Sequence, residues 1–93
     1  MPSTLYMVVE HFKNPDATAA YRRFRDRGRM MPDGLLYVAS WVDHKFERCF
    51  QLMETADRHL LDLWIANWDD IMDFEVYPVM TSKEAVEQIA PRL

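Results

Sequence analysis

The sequence has only one cysteine, so the chain cannot form an internal disulfide. Small secreted domains commonly depend on disulfides, and a single cysteine is typical of a protein kept in a reducing compartment. No apolar run approaches the roughly 20 residues of a membrane-spanning helix. The N-terminus lacks the basic segment, apolar run and cleavage site of a signal peptide. We therefore expect a cytoplasmic protein with no membrane partner.

Glycine and positive charge are also scarce. Two glycines in the whole chain argue against a loop that cradles phosphate groups. The net charge is −4, and the densest basic cluster, residues 22–29, is interrupted by Asp26. Nucleic acid would repel such a chain, so we expect no nucleic-acid partner. The three histidines share no metal-ligand spacing with each other or with Cys49, and we expect neither a metal nor another cofactor.

The length of 93 residues predicts a single domain over residues 1–93. Its hydrophobic content of 49% and charged content of 28% are ordinary for a globular protein. A chain of this size buries only about 60–70% of its unfolded surface, so a deep pocket would compete with the core for side chains. Oligomerisation is the usual way in which such a chain buries more apolar surface.

The segment Arg48 to Glu54 predicts a central β-strand that is covered on both faces. Cys49 and Met53 lie on one face of the alternating pattern, and Phe50 and Leu52 lie on the other. A strand covered on one side only would alternate apolar with polar residues. Gln51 is the single polar side chain that interrupts the first face.

The remaining chain predicts strands and helices in the order βαββαβ, followed by a short helix. Pro78 in the last strand indicates an edge position, and a Thr81–Glu84 capping box indicates the start of the final helix. This is the split βαβ, ferredoxin-like α+β fold, with both helices on one face of an antiparallel sheet. The predicted strands are 5–12, 35–43, 48–54 and 71–80, and the helices are 14–31 with Asn14 as N-cap, 57–70, and 81–91.

Two helices can cover only one face of this sheet, yet its central strands are apolar on both. The simplest cover for the second face is another copy of the same sheet. The pattern therefore predicts a homodimer.

Several segments carry a resemblance to a known family: residues 5–10, 21–24, 27–30, 40–42, 49–54 and 74–79, with Trp64 and Trp68. Through them the chain resembles a bacterial family catalogued as domain of unknown function 3303. The resemblance implies the dimeric α/β-barrel superfamily, in which two ferredoxin-like sheets pack face to face, and it implies no established activity. That superfamily includes cofactor-free monooxygenases, haem-degrading enzymes and isomerases. The haem-degrading pattern has an asparagine on strand one and an inward histidine on the second helix, and neither is present here.

Gln51 is the first candidate for a ligand contact. An inward amide needs partners for two donors and an acceptor. These partners would be core groups if the amide is structural, or a ligand if it forms the floor of a pocket. Glu10, Glu54 and Glu75 lie on three different strands, and a close pair of them would hold one raised pKa, whereas solvated strand ends would form ordinary ion pairs.

Other candidates surround these strands. His11 follows Glu10 on the opposite face of strand one, and Arg27 borders the apolar stripe of the first helix, within predicted reach of a carboxylate on the sheet. Cys49 is expected to be buried and inert. Trp41, Trp64 and Trp68 either pack in the core or line a pocket for a flat apolar ligand.

Two functions fit this pattern. The first is a cofactor-free enzyme, monooxygenase-like or isomerase-like, that acts on a small aromatic or apolar molecule. The second is a homodimeric module that binds a small ligand, or has a purely structural role, without catalysis. An inward Glu or His beside Gln51 in a water-accessible cavity favours the enzyme, whereas a closed apolar cavity or a filled core favours the module.

Overall fold

The computed structural model describes residues 2–14 and 16–93, and it contains a four-stranded sheet with three α-helices. No helix in the described ranges is long and apolar enough to cross a membrane. The strands are β1 (Thr4–Phe12), β2 (Leu36–Val42), β3 (Arg48–Thr55) and β4 (Met72–Val79). The helices are α1 (Thr18–Arg27), α2 (His59–Ile65) and α3 (Ser82–Ile89), and a 3₁₀ turn, Ala90–Arg92, follows.

The sheet is antiparallel, with strand order β2-β3-β1-β4. This order and the βαββαβ sequence of elements confirm the predicted ferredoxin-like α+β fold. β3 is central, as its apolar pattern indicated, and Pro78 lies on the edge strand β4 opposite Tyr6. An edge strand tolerates proline because one side of it has no ladder hydrogen bonds to make.

The core lies between one face of the sheet and the first two helices. Val8, Met53, Leu61 and Trp64 are its most completely buried side chains. Side chains alternate between the two faces along a strand, and this alternation directs both Val8 on β1 and Met53 on β3 to the helix side. We call this side of the sheet the helix face and the other side the open face.

Both ends of α1 differ from the prediction. The helix begins at Thr18, whose backbone N–H donates to Oδ1 of Asp16 at 2.9 Å, so Asn14 is not the N-cap. The predicted proline at the first helical position, Pro15, lies outside the described residues. The helix ends at Arg27 instead of continuing to Met31, because Gly28 adopts φ 69° and turns the chain.

A β-bulge in β2 puts Tyr37 and Trp41, which are four residues apart, on opposite faces of the sheet. The register shifts between Tyr37 and Ala39, so Tyr37 pairs with Met53 on the helix face and Trp41 pairs with Phe50 on the open face. The hydroxyl groups of Tyr37 and Ser40 are 2.7 Å apart, although strict alternation would direct them to opposite faces. The extra residue of a bulge reverses the side assignment beyond it.

The open face of the sheet has large exposed apolar groups. Trp41 is 55% exposed and Tyr77 is 51% exposed. No residue of α3 is buried, and Val86 on this helix is 63% exposed. The start of α3 has the predicted cap, since the Thr81 hydroxyl accepts a hydrogen bond from the backbone N–H of Glu84 at 3.1 Å.

Candidate functional site

A cavity of about 160 Å³ lies between the helix face and α1, and it opens to solvent. Its polar lining comes from β1, β2, β3 and the segment after α1, and its apolar lining comes mainly from aromatic side chains. The polar residues are Glu10, Arg29, Ser40, Cys49 and Gln51. The aromatic residues are Phe12, Tyr21, Phe24, Trp64 and Trp68.

The Glu10 carboxyl group is the buried acid of this cavity, with only 3% of the residue exposed. Its Oε1 accepts a 2.7 Å hydrogen bond from Nε2 of Gln51. Burial away from water raises the pKa of Glu10, and the hydrogen bonds from Gln51 and Cys49 and the charge of Arg29 oppose this only in part. A carboxyl group whose pKa moves towards neutral pH is suited to proton transfer.

Cys49 is not suited to proton transfer or nucleophilic attack, because it is held as a neutral thiol. It pairs with Glu10 across β1 and β3. Burial, and then the negative charge of Glu10, raise the pKa of the thiol to about 12. Thiolate is the reactive form of cysteine, so this side chain is a poor nucleophile at neutral pH.

Gln51 connects Glu10 to an arginine at the other side of the cavity. Its Oε1 accepts a 3.4 Å hydrogen bond from Nε of Arg29, while its Nε2 donates to Glu10. The amide is therefore bonded within the protein, as the structural hypothesis expected, and it also lines the cavity. Its role as a ligand contact stays a prediction.

Two tryptophans of α2 and its following turn position the backbone of Arg29. The indole N–H groups of Trp64 and Trp68 both donate to the Arg29 carbonyl oxygen, at 2.9 Å and 3.1 Å. The Arg29 guanidinium lies over the Tyr37 ring at 3.7 Å and over the Phe24 ring at 5.0 Å. Cation–π contacts of this kind restrict where the guanidinium can point.

The structure brings five of the nine predicted site residues to this cavity. They are Glu10, Cys49, Gln51, Trp64 and Trp68.

The other four predicted residues lie elsewhere. His11 and Glu75 are on the open face, where His11 Nε2 is 3.7 Å from Glu75 Oε2. Trp41 is on the open face because of the β2 bulge. Arg27 is exposed at the last position of α1 and does not line the cavity. Glu54 is also on the open face, opposite Leu5, so the sheet separates Glu54 and Glu75 from Glu10. Among the described residues that line the cavity, Glu10 is the single carboxyl group.

Sequence reasoning missed Arg29. A helix that continued to Met31, as predicted, would place this arginine on the solvent side, opposite the apolar stripe. The helix instead ends at Arg27, two residues before Arg29. Gly28 was the available signal, since glycine commonly ends a helix with positive φ. Tyr21 and Phe24 were assigned to the apolar stripe of α1, and they form one wall of the cavity.

The titratable groups of the cavity suit acid–base chemistry. Within residues 2–14 and 16–93, no group of three or more His, Cys, Asp or Glu side chains is arranged to hold a metal ion. Glu10 is the group placed to give or accept a proton, Gln51 holds its orientation, and Arg29 supplies a positive charge.

A family model matches nearly the whole chain, over residues 4–93. It is described as a domain of unknown function, DUF3303. No curated protein matches the sequence. The match includes every strand and helix that forms the cavity, and the chain therefore belongs to the DUF3303 family.

Proposed function

We propose that this protein is a proton-transferring enzyme of the isomerase type, in which Glu10 moves a proton on a small aromatic or ketone-like molecule. The observation that carries the proposal is a buried carboxyl group with a raised pKa in a cavity open to solvent. Perturbed carboxyl groups in clefts are common at active sites. The single cysteine and the family resemblance favour a bacterial cytoplasm as its location.

The proposed step is removal of a proton from a carbon next to a carbonyl group. The ionised Glu10 carboxylate takes the proton, the C–H bond electrons form a C=C bond, and the carbonyl oxygen becomes an enolate. The Glu10 acid then returns the proton to the same or a neighbouring atom. A raised pKa makes the ionised carboxylate a stronger base, and general-base catalysis of this kind contributes about 10²–10⁴ in rate.

A second function, ligand binding without catalysis, is supported by the hydrogen bonding of the site. No buried polar side-chain atom in the described part of the chain lacks a partner. Glu10 and Gln51 thus satisfy one another, as a purely structural pair would.

Proton exchange into deuterated water distinguishes the two functions. The protein is incubated with a panel of small enolisable aryl ketones and 2-oxo acids, and loss of the α-proton signal is followed by NMR. We expect faster exchange for at least one panel member, and we expect Glu10→Gln to slow this exchange about 100-fold or more.

The matched control is Glu75→Gln, which removes one carboxylate from the exposed open face and should leave exchange unchanged. Equal exchange in the wild type and Glu10→Gln would contradict the enzyme proposal. Saturable binding of panel members with no exchange would favour the binding module.

The same proposal includes a homodimer formed through the open face. Support comes from the exposed apolar groups on that face and from α3, which buries none of its residues within its own chain. Isolated helices shorter than about 12 residues are marginal in water, so an eight-residue helix needs a packing partner. A second copy supplies a face of identical shape and apolar character through a two-fold axis.

A further inference from the structure

Arg29 is a partly buried cation, and it forms no ion pair with a carboxylate in the part of the chain that the structure describes. In residues 2–14 and 16–93, six ion pairs join basic groups to carboxylates within 4.0 Å, and none of them includes Arg29. The neighbouring Arg23 differs, because it forms a two-pronged 2.8 Å pair with Asp70. A guanidinium has five N–H donors, and in the described residues only Nε of Arg29 makes a side-chain hydrogen bond, to Gln51 at 3.4 Å.

The surroundings hold this cation at the cavity wall. Tyr37 and Phe24 contact the guanidinium through their rings, and Trp64 and Trp68 bind the carbonyl oxygen of the same residue. Four aromatic side chains thus fix both ends of Arg29 without neutralising its charge. Such a group is preorganised for an anion, since a guanidinium binds a carboxylate through two parallel N–H donors.

We propose that the cavity binds a small planar monocarboxylate, with its carboxylate paired to Arg29 and the rest of the molecule between the aromatic wall and Glu10. This inference rests on the proposed function, because it names the substrate class of the same site. A substrate held at its carboxylate end would present an adjacent carbon atom to the Glu10 carboxyl group.

The size of the cavity sets the size of the ligand. Its volume is about 160 Å³, and a protein cavity of about 150 Å³ is known to admit one benzene molecule. A single ring, or an unsaturated chain of similar volume, fills this space. Arg29 is partly buried and lines this cavity, which is open to solvent.

A bound anion would also affect Glu10, because the two negative charges would share one small cavity. Repulsion favours the protonated form of Glu10, so carboxylate binding should weaken as pH rises and Glu10 ionises. The other titratable groups around Glu10 are Cys49 on β3 and Tyr21 on α1, and burial raises the pKa of both above their ordinary values. Arg29 stays charged throughout. The pH dependence of benzoate binding above the ordinary glutamate value of 4.5 therefore reports on Glu10.

Calorimetric titration with benzoate and with its neutral analogue benzamide tests the proposal. For the wild type, we expect benzoate to bind more tightly than benzamide. Arg29→Met should weaken benzoate binding about tenfold to a hundredfold, as expected for loss of a charge-assisted hydrogen bond, and should change benzamide binding little. Glu10→Gln should retain benzoate binding and lose its pH dependence.

Arg27→Met is the matched control, because it removes the same charge two residues away from an exposed side chain. It should leave benzoate affinity unchanged, and circular dichroism establishes that both variants are folded. Equal weakening in the two arginine variants, equal affinity for benzoate and benzamide, or no saturable benzoate binding would overturn the inference. Tight benzoate binding that depends on Arg29, together with no proton exchange in any ketone assay, would leave this inference standing and remove the proposed enzyme function.

Discussion

Glu10 and Gln51 occupy positions on the two central strands where most side chains of the helix face are apolar. Their neighbours on that face include Val8 on β1 and Met53 on β3, which are both 0% exposed. A lone carboxyl group or amide at either position would lose its hydrogen bonds to water. The 2.7 Å hydrogen bond between them offsets this loss. The burial of each polar side chain therefore depends on the presence of the other.

Gln51→Leu should therefore lower the free energy of unfolding by about 1–3 kcal/mol, because it leaves the Glu10 carboxyl group buried without its main donor. Urea denaturation of Gln51→Leu, Glu10→Gln and the double variant measures this as a cycle. We expect Gln51→Leu to cost less in the Glu10→Gln background, since a neutral amide is easier to bury unpaired than a carboxylate. Strict additivity would mean that the hydrogen bond does not contribute to stability.

The raised pKa of Glu10 makes stability depend on pH in a defined direction. The native state holds this proton more tightly than the unfolded chain, so the contribution is fully present below the ordinary value of 4.5. It is lost as pH rises through the raised native pKa, at about 1.4 kcal/mol for each unit by which the pKa is raised.

Denaturation midpoints of the wild type and Glu10→Gln, compared from about pH 4 upward, check this dependence. The wild type should lose stability relative to the variant as pH rises. Asp70 makes stability change with pH in the opposite direction, because the hydrogen bond from Arg23 lowers its pKa to about 2. The contribution of Asp70 to stability is lost only as pH falls below the ordinary value of 3.8. A stability difference that stays constant above pH 4.5 would contradict the raised pKa of Glu10.

Gly28 ends α1, and the position of Arg29 in the cavity depends on this helix end. It combines φ 69° with ψ −160°, a conformation that other residues strongly disfavour, and its N–H donates to the Phe24 carbonyl at 2.7 Å. The turn that it makes directs Arg29 back towards the sheet. An added Cβ would meet no atom within 4 Å, so a substitution here tests backbone conformation without a steric clash.

Gly28→Ala should lower the free energy of unfolding by about 1–3 kcal/mol, which is the usual cost of forcing a side chain into such a conformation. Arg27→Ala, at the preceding exposed position, is the control and should have a small effect. Urea denaturation gives both values. If the two variants were equally stable, the conformation of Gly28 would not be needed in the native protein.

The strands were predictable from sequence because their apolar pattern is long and almost uninterrupted. The same pattern located β3 at the centre and placed Gln51 and Cys49 on one face. The predicted end of α1 lies too far along the chain, because Gly28 fits an apolar stripe as well as a helix terminus. The bulge after Tyr37 could not be predicted, because one extra residue changes the pairing with β3 and leaves no mark on the composition.

These two local features explain why only some of the predicted site residues lie together at the cavity. The early helix end brings Arg29 to the cavity in place of Arg27, and the bulge turns Trp41 to the open face. Glu10 was predictable as one of three strand carboxylates, but strand alternation alone did not say which of the three would be buried.

At the scale of the whole molecule, one face of the sheet packs against the first two helices, and the other has exposed apolar groups at its edge strands. Leu52 lies at the middle of the open face, paired with Met7 on β1 and Ala39 on β2. Trp41 and Tyr77 extend this apolar surface towards the two edge strands. Contiguous exposed apolar surface commonly marks a protein–protein interface, and the site with its cavity lies on the opposite side of the sheet.

Leu52→Glu should therefore convert the proposed dimer to a monomer, because it places an unpaired charge in the middle of the buried interface. Leu63→Glu is the matched control, since Leu63 is 47% exposed on α2 and lies on the helix side of the molecule. Sedimentation velocity at micromolar concentration should give a dimer for the wild type and Leu63→Glu, and a monomer for Leu52→Glu. A folded wild-type monomer at this concentration would contradict the dimer, and the apolar groups of the open face would then need a different partner. Benzoate binding measured on the Leu52→Glu monomer separates the two proposals further, because the cavity lies on the helix face, opposite Leu52, and should keep its affinity.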